Sequence, residues 1–150
     1  MQPAVSENGP GRILFALIAV LSLAGMTVSA VSLQRHYAKS DTQFCDFNKK
    51  FSCDIVNRSG YSQIEGIPVA GIGVLGYGAL FFLSTFARSR PETPNRLLGA
   101  ALAGFAFALY LTYIEAYELN TWCILCLGSQ AIIFLIVVLA AIIKARSIRA

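Results

Sequence analysis

Cys123 and Cys126 stand three positions apart at the head of a long apolar run, while Cys45 and Cys53 lie far upstream in a polar stretch with seven residues between them. Residues three apart on a helix share a face, so the thiols of Cys123 and Cys126 can close a small disulfide. The unpaired N–H groups and the dipole of a helix N-terminus favour a thiolate, the form in which Cys123 would attack or leave. Thiol–disulfide redox chemistry is therefore expected here, and more strongly so if the upstream pair reaches the same place. Four cysteines allow three pairings, and spacing does not choose among them.

Other readings of the same cysteines stay open. Inert disulfides could staple an outer loop, although a membrane bundle needs them less than a small secreted domain does. Four thiolates could hold zinc, but the upstream spacing exceeds the usual gap of about two to four residues, and no metal is expected. Trp122-Cys123 hints at a thioredoxin-like domain, yet no alternation of strands and helices surrounds it.

The elements that must position these residues are membrane helices. At 56% hydrophobic and 13% charged over 150 residues, with a mean hydropathy of +0.63, the chain is too apolar for an ordinary soluble domain. A hydrocarbon core about 30 Å thick takes about 20 apolar helical residues per crossing. Four runs approach that length: 13–33, 68–87, 97–117 and 123–143. The first is longer than a typical signal-peptide core and lacks both a strongly basic start and a convincing Ala-x-Ala site, so it is expected to be retained. The fold expected is all-α and integral to the membrane, a single domain over 1–150 built as a four-transmembrane-helix bundle. The loop at 34–67 holds the turn-rich Asn57-Arg58-Ser59-Gly60, which could open a short helix capping the bundle. Pro68 suits a first helical turn, and Gly71, Gly73, Gly76 and Gly78 are expected to let neighbouring backbones approach closely.

Lysine and arginine placement orients such a bundle, because cytoplasmic segments retain positive charge. Arg12, Arg88, Arg90, Arg96, Lys144, Arg146 and Arg149 fall on one side, opposed there by Glu7 and Glu92. Across the membrane Arg35, Lys39, Lys49, Lys50 and Arg58 are outweighed by Asp41, Asp46, Asp54, Glu65, Glu115 and Glu118. Both termini are thus predicted inside, and all four cysteines on the outer face, where disulfides persist in an oxidising compartment. The net charge of +4 reads as a topology signal and not as a nucleic-acid footprint.

Thiols beside lipid need an electron acceptor, and the sequence carries no nucleotide-binding glycine loop and no haem or iron–sulfur signature. A diffusible membrane quinone is the economical choice, seated among helices near Cys126 with Ser59, Gln130, Tyr113 and Tyr117 as candidate hydrogen-bonding partners. The two tyrosines also suit an interfacial aromatic belt. Glu115 and Glu118 are expected to face water at the end of the third run, with a proton relay as the alternative. His36 reads as a surface residue.

The chain resembles the vitamin K epoxide reductase family, in a short bacterial form. Phe44-Cys45-Asp46 through Ser52-Cys53-Asp54 looks like the family's loop pair, Ser59 like its loop serine, and Gly66-Ile67-Pro68-Val69 like the bacterial approach to the second helix. Cys123-Ile124-Leu125-Cys126 matches the motif at the head of the fourth. The resemblance implies a bundle around a quinone, menaquinone, phylloquinone or ubiquinone, in the bacterial inner membrane. It implies that Cys123 and Cys126 form the redox pair, with Cys126 nearer the quinone, and that Cys45 and Cys53 shuttle electrons to Cys123. Ser59 would hydrogen-bond the quinone. The donor implied is a thioredoxin-like periplasmic protein that makes disulfides, expected as a separate chain because nothing resembling it follows the fourth helix. Where vertebrate members carry a tyrosine four residues after the second cysteine, this chain has Gln130, which puts vertebrate-like anticoagulant binding in doubt.

Overall fold

Backbone N–H and C=O groups cannot cross lipid unpaired, and the apolar runs meet that demand as helices. The structure, a computed structural model, describes residues 10–37, 63–64, 66–87, 90, 92–119 and 124–149. Helix α1 spans Pro10–Tyr37, α2 Val69–Thr85, α3 Thr93–Tyr113 and α4 Ile124–Arg149, and a π-helical turn, Ile114–Leu119, continues α3. Three stretches are long and apolar enough to cross a membrane: Gly11–Gln34, Thr93–Glu118 and Ile124–Arg146. Helix α2 is equally apolar in character but has 17 residues. The predicted capping segment around Asn57–Gly60 lies outside the described residues.

The differences from the expected boundaries at α2 and at the start of α3 have local causes. Helix α2 is shorter than 68–87 because Pro68 holds an extended conformation (φ −62°, ψ 133°) as its N-cap. At its other end Ser84 and Thr85 donate their hydroxyls to the Phe81 carbonyl, at 3.0 and 2.7 Å, and drain the last turn of acceptors. Helix α3 begins before residue 97 because its first turn, Thr93-Pro94-Asn95-Arg96, is polar and invisible to a count of apolar residues. Pro94 presets that turn, and buried Thr93 anchors it by donating to the Ala87 carbonyl. The described residues also hold one feature that is not helical. Gln63–Ile64 (β1) and Ile67–Pro68 (β2) form a minimal antiparallel ribbon, paired Gln63 with Pro68 and Ile64 with Ile67. Gly66 in its turn has φ +85°, a conformation that side chains disfavour.

The bundle is packed at one end and open at the other. Phe15 and Ile18 near the start of α1 meet Leu80 near the end of α2, Leu97 and Ala101 near the start of α3, and Ile136, Ala140 and Ile143 toward the end of α4. Adjacent helices therefore run antiparallel. Lys144 donates to Asn95 at the same end, tying α4 to α3. Helix α1 packs mainly on α2 and α4, and α3 mainly on α4, whereas α2 and α3 touch much less. The outer surface is apolar: Leu17, Val20, Leu75, Phe82, Leu102, Leu109, Phe134 and Val138 are all exposed. Apolar faces of this extent belong against lipid, and the chain is an integral membrane protein.

Of the four glycines expected to bring α2 close to a neighbour, two do so. A Cβ on Gly73 would lie 2.7 Å from Ser29 Oγ and one on Gly78 3.5 Å from Met26 Cε, whereas Gly71 and Gly76 meet nothing within 4 Å. The tightest approach is at Gly25 on α1, where a Cβ would fall 2.3 Å from Cε1 of Tyr77. That ring cannot swing aside cheaply, because its hydroxyl is bonded to α4. Gly25→Val is expected to destabilise the detergent-solubilised protein by about 1–3 kcal/mol, the usual scale of overpacking. Gly71→Ala should leave the unfolding midpoint unchanged in the same denaturant titration.

Candidate functional site

Tyr77 links α2 to α4. Its hydroxyl donates to the Ser129 carbonyl oxygen at 2.9 Å, and Ser129 Oγ, at 2.8 Å, can donate to the phenolic oxygen in return. One α4 turn further toward the helix N-terminus comes Cys126. Around that bridge the helices separate to enclose a cavity of about 470 Å³. Helix α1 contributes Ser29 and Ser32, α2 Gly73, Gly76 and Tyr77, α3 Gly104, Phe107 and Thr112, and α4 Leu125, Cys126, Ser129 and Ile133.

The walls are chiefly apolar, with polar atoms gathered toward one end. Ser29 and Ser32 are buried on α1. Thr112 Oγ1 donates to the Ala108 carbonyl at 2.9 Å and lies 3.4 Å from Gln130 Oε1. Glu115 also lines the cavity and is only 2% exposed. Its position corrects the expectation that it faces water. Helical spacing explains the change: Glu115 continues the stripe of Gly104, Ala108, Leu111 and Thr112 that lines the cavity, while Tyr117 and Glu118 fall on the outward face.

Cys126 is the sequence-predicted residue that reaches this cavity, half-buried in its wall. Gln130 sits one turn along α4 behind Thr112, touching the site through that hydroxyl and not as part of its lining. Tyr113 and Tyr117 lie outside the lining, 55% and 71% exposed, with their rings 4.9 Å apart. Cys45, Cys53, Ser59 and Cys123 lie outside the described residues; α4 is described from Ile124, directly after Cys123.

Sequence reasoning missed Tyr77, Ser129 and Thr112 as parts of the site. The available signal was a polar side chain in the middle of an apolar run, which in lipid must find a partner or line a cavity. Tyr77, flanked by Gly76 and Gly78, is the clearest instance.

An apolar cavity between membrane helices, with a cysteine in the first turn of one of them, is the form expected of a membrane protein that couples thiol chemistry to a lipid-soluble reactant. Residues 16–141 match the family model described as the vitamin K epoxide reductase family. The chain belongs to that family. It is accordingly an integral membrane oxidoreductase of the thiol–disulfide and quinone type.

The Tyr77 bridge yields a stability test. Tyr77→Phe should cost roughly 0.6 kcal/mol, the average of side-chain hydrogen bonds between membrane helices. Ser129→Ala should cost less, because the carbonyl acceptor survives. A cost that is the same for Tyr77→Phe with and without Ser129→Ala would mean that the Ser129 hydroxyl is not coupled to Tyr77.

Proposed function

We propose that this protein reoxidises a separate, thioredoxin-like disulfide-forming protein and passes the electrons to a membrane quinone. The observation that carries the reading is Cys126 in the wall of an apolar cavity within a chain of this family. The cavity suits a quinone: apolar walls for the ring and chain, and polar groups gathered where ring oxygens need partners.

The whole of 1–150 serves as one domain in this reading, with four crossings. Helix α2 extends about 25 Å at 1.5 Å per residue; Ile67 and Phe86, exposed and apolar at its two ends, fill the remainder of a hydrocarbon core of about 30 Å. Both termini lie in the cytoplasm of a bacterial cell, and the cysteines face the periplasm, consistent with the distribution of Arg and Lys.

The partner's dithiol attacks a Cys45–Cys53 disulfide, and the loop pair in turn reduces Cys123–Cys126. Cys126, nearer the cavity, then gives up its electrons as the Cys123–Cys126 disulfide reforms. Two thiols lose two electrons and two protons, and the quinone supplies the chemistry of accepting them to become a quinol. Differences in reduction potential set the direction, about 30 mV for each 1.4 kcal/mol of a two-electron couple. Ser59 from the loop hydrogen-bonds the ring, and Gln130 acts on it through the Thr112 hydroxyl; Tyr113 and Tyr117 anchor the outer interface. The isoprenoid chain leaves between α2 and α3, the least packed pair, where Gly76, Ala79, Ala100 and Ala103 are exposed and also line the cavity.

Cys126→Ala should abolish quinone reduction in detergent while leaving helical circular dichroism unchanged; continued turnover would overturn the assignment. Zinc bound stoichiometrically to the active protein would instead favour a metal site. Ala103→Phe should raise KM for a long-chain quinone at least threefold and leave a quinone without a side chain unaffected. Equal effects on both would displace the proposed exit.

A further inference from the structure

A carboxyl group inside a membrane bundle is expensive, and such residues mark ion or proton pathways more often than structure. Glu115 is one: 2% exposed, within the span Thr93–Glu118, and in the wall of the cavity that Cys126 also lines. It continues the face of α3 on which Ala108, Leu111 and Thr112 line the same wall, and it sits in a π-helical turn, a winding frequent at functional sites. Tyr113, before this turn, and Tyr117 and Glu118, within it, all face outward.

Quinone reduction by a dithiol creates a proton problem inside this cavity. The two sulfurs lose two protons as they join, and the two ring oxygens need two as the quinol forms. The reaction balances without protons from outside, but the protons must travel from sulfur to oxygen through an apolar space. Among the described lining residues, Ser29, Ser32, Tyr77, Thr112 and Ser129 offer hydroxyls, which give up protons poorly. Glu115 is the carboxyl among them, the group best suited to taking a proton and releasing it again.

We propose that Glu115 is the proton carrier of the reduction step. Its carboxylate accepts a proton released from the Cys123–Cys126 dithiol and delivers it to a quinone oxygen, ending in the state in which it began. The proposal rests on the thiol-to-quinone reading above and assigns a role to a residue that reading does not use.

The experiment compares Glu115→Gln and Glu115→Asp with wild type in two assays: disulfide exchange with a small dithiol in the absence of quinone, and turnover with a soluble naphthoquinone. Glu115→Gln should lose about 100-fold in kcat, the lower range for general acid–base catalysis, a much larger change than in the exchange rate or the quinone KM. Glu115→Asp should retain more activity than Glu115→Gln, because it keeps the ionisable group. A packing role predicts the opposite order, since Gln keeps the length that Asp loses. The wild type gives an independent readout even if both variants fail to fold. An apolar carbodiimide should modify Glu115, as mapped by peptide mass spectrometry, and bound naphthoquinone should protect it. Gln outperforming Asp, unchanged kcat in Glu115→Gln, or no protected modification of Glu115 would overturn the proposal. Wild type that exchanges disulfides but never reduces quinone would overturn the parent reading along with it.

Discussion

The hydrogen bond from Tyr77 to Ser129 ties α2 to α4 across the bundle, in the wall of the cavity and at the edge of the packed core. Lipid competes weakly with helix–helix contact, because its tails are as apolar as leucine, so a membrane bundle is fixed by close approach and by polar pairs. Here both occur at one residue. The Tyr77 ring lies against Gly25 of α1, while its hydroxyl holds the α4 backbone. The branched aliphatic side chains of α4 fill the core with Phe15, Leu80 and Leu97. Around the clamp Gly73, Gly76 and Gly104 leave the cavity that Cys126 lines, with Leu80 and Ile133 shared between core and cavity wall.

This division accounts for how the polar inventory is spent. Side-chain hydroxyls at Ser22 and Thr27 bond the carbonyls four residues earlier and need no partner helix. Ser29, Ser32 and Glu115 are instead turned toward the cavity, and Thr112 lines it while also bonding the carbonyl of Ala108. A reactive site in a membrane has to combine an apolar passage for a lipid-soluble molecule with polar groups at the reacting end, and the bundle supplies the two in adjoining layers. The loose contact between α2 and α3 gives that passage an opening toward lipid.

Much of the architecture was legible because long apolar runs have one outcome in lipid. All four helices fall where hydropathy puts them, and among the boundary differences those at Pro68 and at the polar turn Thr93–Arg96 arise where capping and not hydropathy decides. The cysteine spacing pointed to thiol chemistry, and the family match over residues 16–141 agrees with it. The side chains around Cys126 were far less legible. Hydropathy assigns Glu115 to the water beyond a span because it counts charge, although helical spacing from Ala108 and Leu111 puts the carboxyl on the cavity face. Tyr113 and Tyr117 look like ring partners on chemistry alone, yet they fall on the outward face of the helix. Gly25 carried no signal as the closest contact, since its importance depends on which residue of α2 stands opposite.

The most direct test of the account is a single-turnover titration in which the purified protein is reduced, freed of reductant, mixed with one equivalent of naphthoquinone, and trapped with a thiol-alkylating mass tag. If electrons pass from the cysteine at the cavity to a quinone, Cys126 loses its reactivity toward the tag as quinol appears in equal amount. Quinone that binds in the bundle while Cys126 remains fully alkylated and no quinol forms would contradict the central claim.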